Sequence, residues 1–341
     1  MPDTVLVTGG TGFLGGHCIA RLLERGYDVR TTVRDPARED AVRATLDAAG
    51  VDAGGRLTVA VANLESDDGW EAAVDGCRYV LHVASPFPPV QPRDADELIV
   101  PARDGALRVL RAALAADVER VVLTSSIAAT RPDRESTAEA PYTEADWTNP
   151  DNPARTPYTR SKTIAEQAAW ALARESGAED RLAVVNPGAI IGPTLNDDLS
   201  YSLESISRLL GGMPAVPRLG FTFVDVRDVA DLHILAMTEP AAGGERFIAA
   251  DAFLWMAEVA AILRDRLGDA ASKVPTRTAP NLMIRTMALF DPSIRPVVGD
   301  LGKQSWFSGA KARERLGWEP RPVEDAVSDC AESLLARRAG A

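Results

Sequence analysis

Lysine, cysteine and histidine are all scarce in this chain, and each shortage removes a class of function. Lysine occurs only at 162, 273, 303 and 311, so the 37 basic residues are mostly arginine. Against 49 Asp plus Glu the formal net charge is −12, a field that repels the phosphates of nucleic acid and an anionic membrane surface. Cys18, Cys77 and Cys330 are odd in number and far apart, which argues against a disulfide framework; Cys18 and Cys77 fall in apolar patterns suited to reduced core thiols. His17, His82 and His233 form no H-E-x-x-H or Cys/His cluster, so they read as core residues and no metal site is expected. No apolar run reaches the roughly 18 residues of a membrane span, and Met-Pro-Asp leads straight into an apolar strand without a leader pattern. A cytoplasmic chain is the expectation.

What is present is a hydrophobic fraction of 46% over 341 residues, ample for one large α/β unit or two lobes. Apolar runs at Val5, Asp28 to Val33, Arg56 to Val61, Tyr79 to Val83 and Arg120 to Thr124 alternate with helical patterns at Cys18 to Leu23, Ala37 to Ala49 and Asp94 to Ala116. That alternation predicts right-handed βαβ crossovers and a doubly wound parallel sheet. A further helix is predicted from Pro157 to about Glu175 and a sixth strand from Arg181 to Val185. The regularity then fades: Thr194 to Gly220 reads as irregular, Phe221 to Val226 as a strand, Asp228 as the cap of a helix over Val229 to Met237, Arg246 to Ala249 as a strand, and the rest as mainly helical. The expected division is a dinucleotide-binding Rossmann domain over 1–188, completed by about 221–250, with 189–220 and 251–341 forming a smaller, mainly helical substrate lobe.

Two stretches carry chemistry. Gly9, Gly10, Gly12 and Gly15 lie between the first strand and first helix, satisfying both G-x-G-x-x-G and G-x-x-G-x-x-G. In that context the glycines let backbone approach a pyrophosphate while the helix N-terminus presents free N–H groups to it. Eighteen residues after Gly15, where NAD-binding sites place a carboxylate for the ribose 2′-OH, stands Val33, followed by Arg34. A guanidinium there suits a 2′-phosphate, so the expected cofactor is NADP(H). Tyr158 and Lys162, at i and i+4 of the helix that opens at Pro157, share one face. A cation beside a phenol stabilises the phenolate and lowers a pKa that is otherwise near 10, and the remaining ammonium donors can bond a cofactor ribose.

Together, Thr8-Gly9-Gly10-Thr11-Gly12-Phe13-Leu14-Gly15, the Tyr158/Lys162 pair and Thr124-Ser125-Ser126 resemble an extended short-chain dehydrogenase/reductase. The resemblance is nearer to the branch of dihydroflavonol reductases, cinnamoyl-CoA reductases and microbial aldehyde or ketone reductases. It rests on Thr32-Val33-Arg34-Asp35-Pro36, His82-Val83-Ala84-Ser85-Pro86, Thr163-Ile164-Ala165-Glu166-Gln167-Ala168-Ala169-Trp170, and Asn186-Pro187-Gly188 with Gly192-Pro193. It covers residues 4 to about 250 well and is poor beyond Asp251.

The resemblance implies hydride transfer from a reduced nicotinamide to a carbonyl, with Tyr158 giving the proton, Ser126 bonding the same oxygen, and Lys162 tuning the tyrosine and holding the ribose. It implies a cofactor lined by Gly9, Thr11, Gly12, Phe13, Leu14, Arg34, Asn63, Leu64, Val83, Ala84 and Ser85, with Pro187 and Gly188 beside the nicotinamide. Asn63-Leu64 stands where the branch often has Asp-Leu, and the branch's lysine after strand two is absent, with Arg38 and Arg43 as the candidates to substitute for it. An apolar substrate pocket is expected from Phe87 and Val90 of a proline-rich loop, Ile127, Ile190 and Met213. The partner is then a small-molecule carbonyl substrate, and the protein a monomer or a homodimer. Two other readings compete. One is a nucleotide-sugar epimerase or dehydratase on the same fold, of which the dehydratases place acidic residues after the serine, where Ile127-Ala128-Ala129 has none; the other is a non-catalytic dinucleotide sensor, which would not need Tyr158 and Lys162.

Overall fold

Alternate residues of the first strand enter different cores, and that sets the architecture. The computed structural model describes residues 2–86, 94–196, 200–290 and 294–340. In β1 (Thr4–Val7), Val5 and Val7 join one hydrophobic cluster and Leu6 another, all without solvent exposure. A strand buried on both sides belongs to a parallel sheet between two helical layers.

The chain continues through α1 (Phe13–Glu24), β2 (Asp28–Val33), α2 (Glu39–Ala48), β3 (Leu57–Val61), α3 (Trp70–Val74), β4 (Tyr79–His82), α4 (Asp96–Ala115), β5 (Arg120–Thr124), α5 (Pro157–Glu175) and β6 (Leu182–Pro187). Then follow β7 (Ala189–Ile191), α6 (Tyr201–Gly211), β8 (Val216–Pro217), β9 (Gly220–Asp225), α7 (Val226–Thr238), β10 (Glu245–Ala249) and β11 (Ala252–Trp255). The last elements are α8 (Met256–Leu267), β12 (Thr278–Ala279), α9 (Asn281–Phe290), α10 (Arg295–Val298), α11 (Ala310–Leu316) and α12 (Val323–Gly340).

Seven strands make the main sheet in the order β10-β6-β5-β4-β1-β2-β3, every pair parallel. This is the doubly wound fold the alternation predicts. One cluster joins α1 and α7 to one face through Ile19, Leu22, Leu232 and Ala236. The other joins α4 and α5 to the opposite face through Val109, Leu110, Ala169 and Trp170. The winding reverses at β1, which lies between β2 and β4, and the carboxyl ends of strands beside such a switch point open a ligand crevice.

Three expectations need correcting. Thr194 to Gly220 is not irregular throughout, since it contains α6, whose Leu203, Ile206, Leu209 and Leu210 are buried. Asp228 does not cap its helix: α7 begins three residues earlier, and the Asp225 carboxylate accepts from the Arg227 N–H at 2.7 Å. Asp228 is instead buried against Arg321, whose side-chain Nε lies 3.0 Å from it. The strand expected at Phe221 exists as β9, but it leaves the main sheet and joins β7 and β11 in a three-stranded one.

Candidate active site

At the end of β1, Thr8 Oγ1 lies 2.9 Å from His82 Nδ1 and accepts from the Ala84 N–H at 3.0 Å, tying the ends of β1 and β4 together. The chain then turns on Gly9, whose φ of +76° is a left-handed conformation that glycine adopts without a Cβ clash. A Cβ on Gly15 would fall 2.2 Å from the Gly9 carbonyl oxygen, so the two glycines together let α1 start against the turn. Gly12 is the N-cap of α1, with no side-chain cap and no acidic residue in the first turn. Its leading N–H groups are therefore available to an anion.

Over this turn lies a cavity of about 1290 Å³. Gly9, Thr11, Gly12, Phe13 and Leu14 line it from the turn, Arg34 and Arg38 from the end of β2, and Asn63 and Leu64 from the end of β3. Val83, Ala84 and Ser85 contribute from the end of β4, Ser126 from the end of β5, Tyr158 and Lys162 from α5, and Pro187 and Gly188 from the end of β6. Every cofactor-site residue expected from the sequence is thus brought to one space. A bare helix N-terminus at its middle, exposed guanidinium groups at one end and a phenol at the other fit an elongated, doubly phosphorylated nucleotide with an extra 2′-phosphate.

At the far end, α5 begins with Thr156 as N-cap and Pro157 in its first turn, which fixes where Tyr158 leaves the helix. Tyr158 hydrogen-bonds Ser126, and Lys162 Nζ donates to Ser85 Oγ at 3.0 Å. Burial drives the Lys162 ammonium down to about 8, opposed by the charge of Glu166. For Tyr158 the sequence-based expectation needs adjusting. Burial raises its pKa, and the group that offsets the rise is Ser126 rather than Lys162. A raised pKa keeps the phenol protonated at neutrality, as a proton donor must be. Ser126 also accepts from the Ala128 N–H at 3.1 Å, so the hydroxyl caps the next turn and faces the tyrosine at once.

The expected substrate pocket is less complete. Ile190 lines the cavity, but Ile127 and Met213 are not among its described lining residues. Ile127 opens a 3₁₀ turn packed on α5, and Met213, just after α6, packs against the main core. Phe87 and Val90 lie outside the described residues. Gly188 lines the cavity and is also packed from behind, since a Cβ there would meet the Thr222 carbonyl oxygen of β9 at 2.3 Å. Of the two substitutes for the missing lysine, Arg38 lines the cavity whereas Arg43 pairs with Glu39 at 2.6 Å. Sequence reasoning missed Asn196, whose Nδ2 donates to the Thr11 carbonyl at 3.2 Å, and also Tyr201, Glu204 and Arg337 on the cavity wall. Nothing in their spacing signals a site, because they reach it from segments far along the chain.

The histidines are core residues: His17, His82 and His233 are at most 5% exposed, and burial depresses their pKa values to about 4, 3 and 4. Fold and site together define a dinucleotide-binding α/β protein with a serine, a tyrosine and a lysine at one end of the nucleotide cavity. The chain belongs to the NAD dependent epimerase/dehydratase family, whose model matches residues 5–250. It is 33% identical over 340 residues to a cinnamoyl-CoA reductase of Medicago truncatula, covering 98% of this chain and 97% of that one. It is 34% identical over 283 residues to a dihydroflavonol 4-reductase of Dianthus caryophyllus, covering 81% and 76%. Among solved structures it is similar to the yeast methylglyoxal/isovaleraldehyde reductase Gre2 complexed with NADPH, with 25% identity, a TM-score of 0.81, and 98% and 99% of the two chains covered. Gre2 of Candida albicans with NADPH gives 27% identity, a TM-score of 0.82, and coverage of 98% and 99%.

Proposed function

We propose that this protein reduces an aldehyde or ketone to an alcohol with NADPH. The observation that carries the reading is the Ser126–Tyr158 hydrogen bond beside Lys162, at the opposite end of the cavity from Arg34. When bound, NADPH supplies the hydride. Tyr158 holds the proton that passes from its hydroxyl to the substrate oxygen, and Ser126 donates a hydrogen bond to that oxygen as negative charge builds on it. Lys162 carries a positive charge toward the phenolate left behind and has donors to spare for the ribose. Arg34 would hold the 2′-phosphate of the bound cofactor, and the free N–H groups in the first turn of α1 would hold its diphosphate.

We assign cofactor binding to 1–188 with the return over 221–250, and substrate binding to 189–220 and 251–341. The support is that β10 completes the main sheet and α7 packs on α1. The carbonyl substrate is a small molecule with an apolar substituent, held in part by Ile190 and Leu195, both on the cavity wall. Buried free thiols at Cys18, Cys77 and Cys330 suit a cytoplasmic setting. Among the described residues no helix is long and apolar enough to cross a membrane.

A nucleotide-sugar rearrangement on the same fold would require cationic groups for a second diphosphate. Arg208 is paired with Glu204 at 2.7 Å, and Arg218 lies over the Trp255 ring with its guanidinium carbon 5.7 Å from the centroid. Neither is among the described residues lining the cavity. The deciding assay follows NADPH at 340 nm with a graded carbonyl series, from acetone to aryl and long-chain ketones, beside UDP- and GDP-sugars. Stoichiometric NADPH consumption, with kcat/KM rising as hydrocarbon is added at about 25 cal/mol per Å² buried, is the expected outcome. Sugar-nucleotide turnover without net NADPH oxidation overturns it.

A further inference from the structure

Behind the Ser126–Tyr158–Lys162 end of the cavity lies a buried polar cluster that the reduction chemistry leaves unexplained. Its centre is Glu166, fully enclosed and one helical turn beyond Lys162, so that Tyr158, Lys162 and Glu166 succeed one another at four-residue intervals along α5. One carboxylate oxygen accepts from Ser125 Oγ at 2.5 Å and from Asn186 Nδ2 at 2.8 Å. The same Asn186 nitrogen donates to the Ser126 carbonyl at 3.1 Å. The other oxygen accepts from Arg246 Nε at 2.5 Å and Trp170 Nε1 at 3.4 Å. Arg246 in turn donates to the Glu144 and Asp146 carbonyls and lies 3.7 Å from the Trp147 ring centroid, which ties down the long connection ahead of Tyr158.

One side chain therefore gathers the ends of β5 and β6, strand β10 and the helix bearing the proton donor. Taking a carboxylate and a guanidinium out of water is expensive, and a well-packed apolar pair of similar volume often serves stability as well. The geometry gives the pair another use. Glu166 and Lys162, with His82, Ser85 and Ser125, line a separate cavity of about 20 Å³, and Arg246 does not. Lys162 and Glu166 thus border one small space together with Ser125, which holds one carboxylate oxygen, while the guanidinium holds the other oxygen.

We propose that Glu166 is a positioning residue for the reduction: its carboxylate locks the Ser126-bearing strand end to the helix carrying Tyr158 and Lys162, and acts as the counter-charge of Lys162. This rests on the catalytic reading given above. The other groups facing Lys162 do not compete with that charge. His82 on β4 is held neutral by burial, Ser85, Thr124 and Ser125 are uncharged, Ala102 and Ala106 of α4 have no charge, and Tyr158 is kept protonated. Since Glu166 opposes the effect of burial on Lys162, removing its charge lets the ammonium lose its proton at lower pH.

The test uses the full-length enzyme with NADPH and an aryl ketone. Glu166→Gln should bind NADPH within about threefold of wild type and lose roughly tenfold to a hundredfold in kcat, because a small misplacement of reacting groups costs that much. The alkaline limb of its kcat profile should move to lower pH by about half a unit or more. A folded Glu166→Gln with wild-type kcat and an unmoved limb overturns the proposal. Ser125→Ala keeps the buried ion pair, and so the fold, while removing one arm. It should lose roughly threefold to tenfold in kcat with the limb unmoved, and unchanged kcat there also overturns the proposal. Tyr158→Phe is assayed alongside: if it keeps its turnover the catalytic reading fails, whereas a dead Tyr158→Phe beside wild-type behaviour in the other two sinks only the role of Glu166.

Discussion

Between Thr4 and Gly188 the chain reaches the cavity at the turn of Gly9 to Gly15 and at the strand ends next to it in the sheet, each contribution set close to a strand or helix terminus. After Gly188 the elements are held by charged side chains reaching across long stretches of sequence. Arg321 clasps Asp228 through both its backbone N–H, at 2.8 Å, and its side chain, while Arg227 reaches Asp329 and Lys311 reaches Glu245. On the assignment proposed above, the difference separates the part that holds the cofactor from the part that selects the substrate. The phosphates of a nucleotide are gripped by local geometry that a few glycines specify. The second half, to which substrate binding is assigned in the proposal above, is instead held by ties between distant segments.

The sharpest way to break this comparison is at the proton donor, where the two halves meet. Tyr158→Phe removes one hydroxyl from a half-buried ring, so the protein should fold and bind NADPH as before. Its kcat should fall roughly a hundredfold to ten-thousandfold. Retention of a third of the wild-type rate excludes Tyr158 as the donor.

Next comes a tie in the second half. Arg321→Ala strips the side-chain partner from Asp228, which is 3% exposed and whose pKa burial already raises. Losing the partner of a buried charge costs about 3–5 kcal/mol, discounted here to about 2–3 because Arg321 is partly solvated and its backbone N–H remains. Urea unfolding measures the loss. An unchanged midpoint means that the second half is not held by such ties.

In the first half the corresponding change is Arg34→Ala, which should leave stability alone. It should lower the NADPH to NADH ratio of kcat/KM by roughly tenfold to a hundredfold, the worth of one charge-assisted contact to the 2′-phosphate. An unmoved ratio removes Arg34 from cofactor selection.

The same contrast governs how far the sequence could be read. The first half announces itself locally: β2, β5 and α5 form over the spans their hydrophobic periods predict, and the glycine turn sits where its neighbours require. The short α3 gave no such signal, with five residues and a single turn. In the second half some signals were present but outweighed. Leu203, Ile206, Leu209 and Leu210 have helical spacing and Gly212 ends the helix, yet the surrounding glycine and proline suggested an irregular stretch. Other features leave no local mark. Asp228 looks like a cap until Arg321, 93 residues later, occupies its carboxylate, and Asn196 becomes a cavity residue only because it lies over Thr11. Glu166 was visible as one letter of a motif, but its partners come from β5, β6 and β10, which only the sheet order brings together.

The smallest expected effect separates two arginines that the sequence alone treats as equivalent substitutes for a missing lysine. Arg38 and Arg43 are five residues apart, but Arg38 ends the 3₁₀ turn before α2 and lines the cavity, while Arg43 lies one helical turn beyond Glu39 and is bound to it. Arg38 is exposed like Arg34 but stands in the turn beyond the end of β2, so it is expected to act on a 2′-phosphate as a second, water-screened charge and not as the direct contact. An exposed pair of this kind is worth about 0.2–1 kcal/mol, and Arg38→Ala should weaken NADPH binding by no more than roughly fivefold. Salt should narrow that difference, because the Debye length shrinks from about 10 Å at 0.1 M to about 3 Å at 1 M. Arg43→Ala removes only a surface pair, 41% and 43% exposed on its two sides, and should leave NADPH affinity unchanged. Fluorescence titration of NADPH into both variants at low and high salt decides the matter. Equal losses would mean that Arg43 leaves Glu39 when the nucleotide binds, and the distinction drawn from the cavity wall would fail.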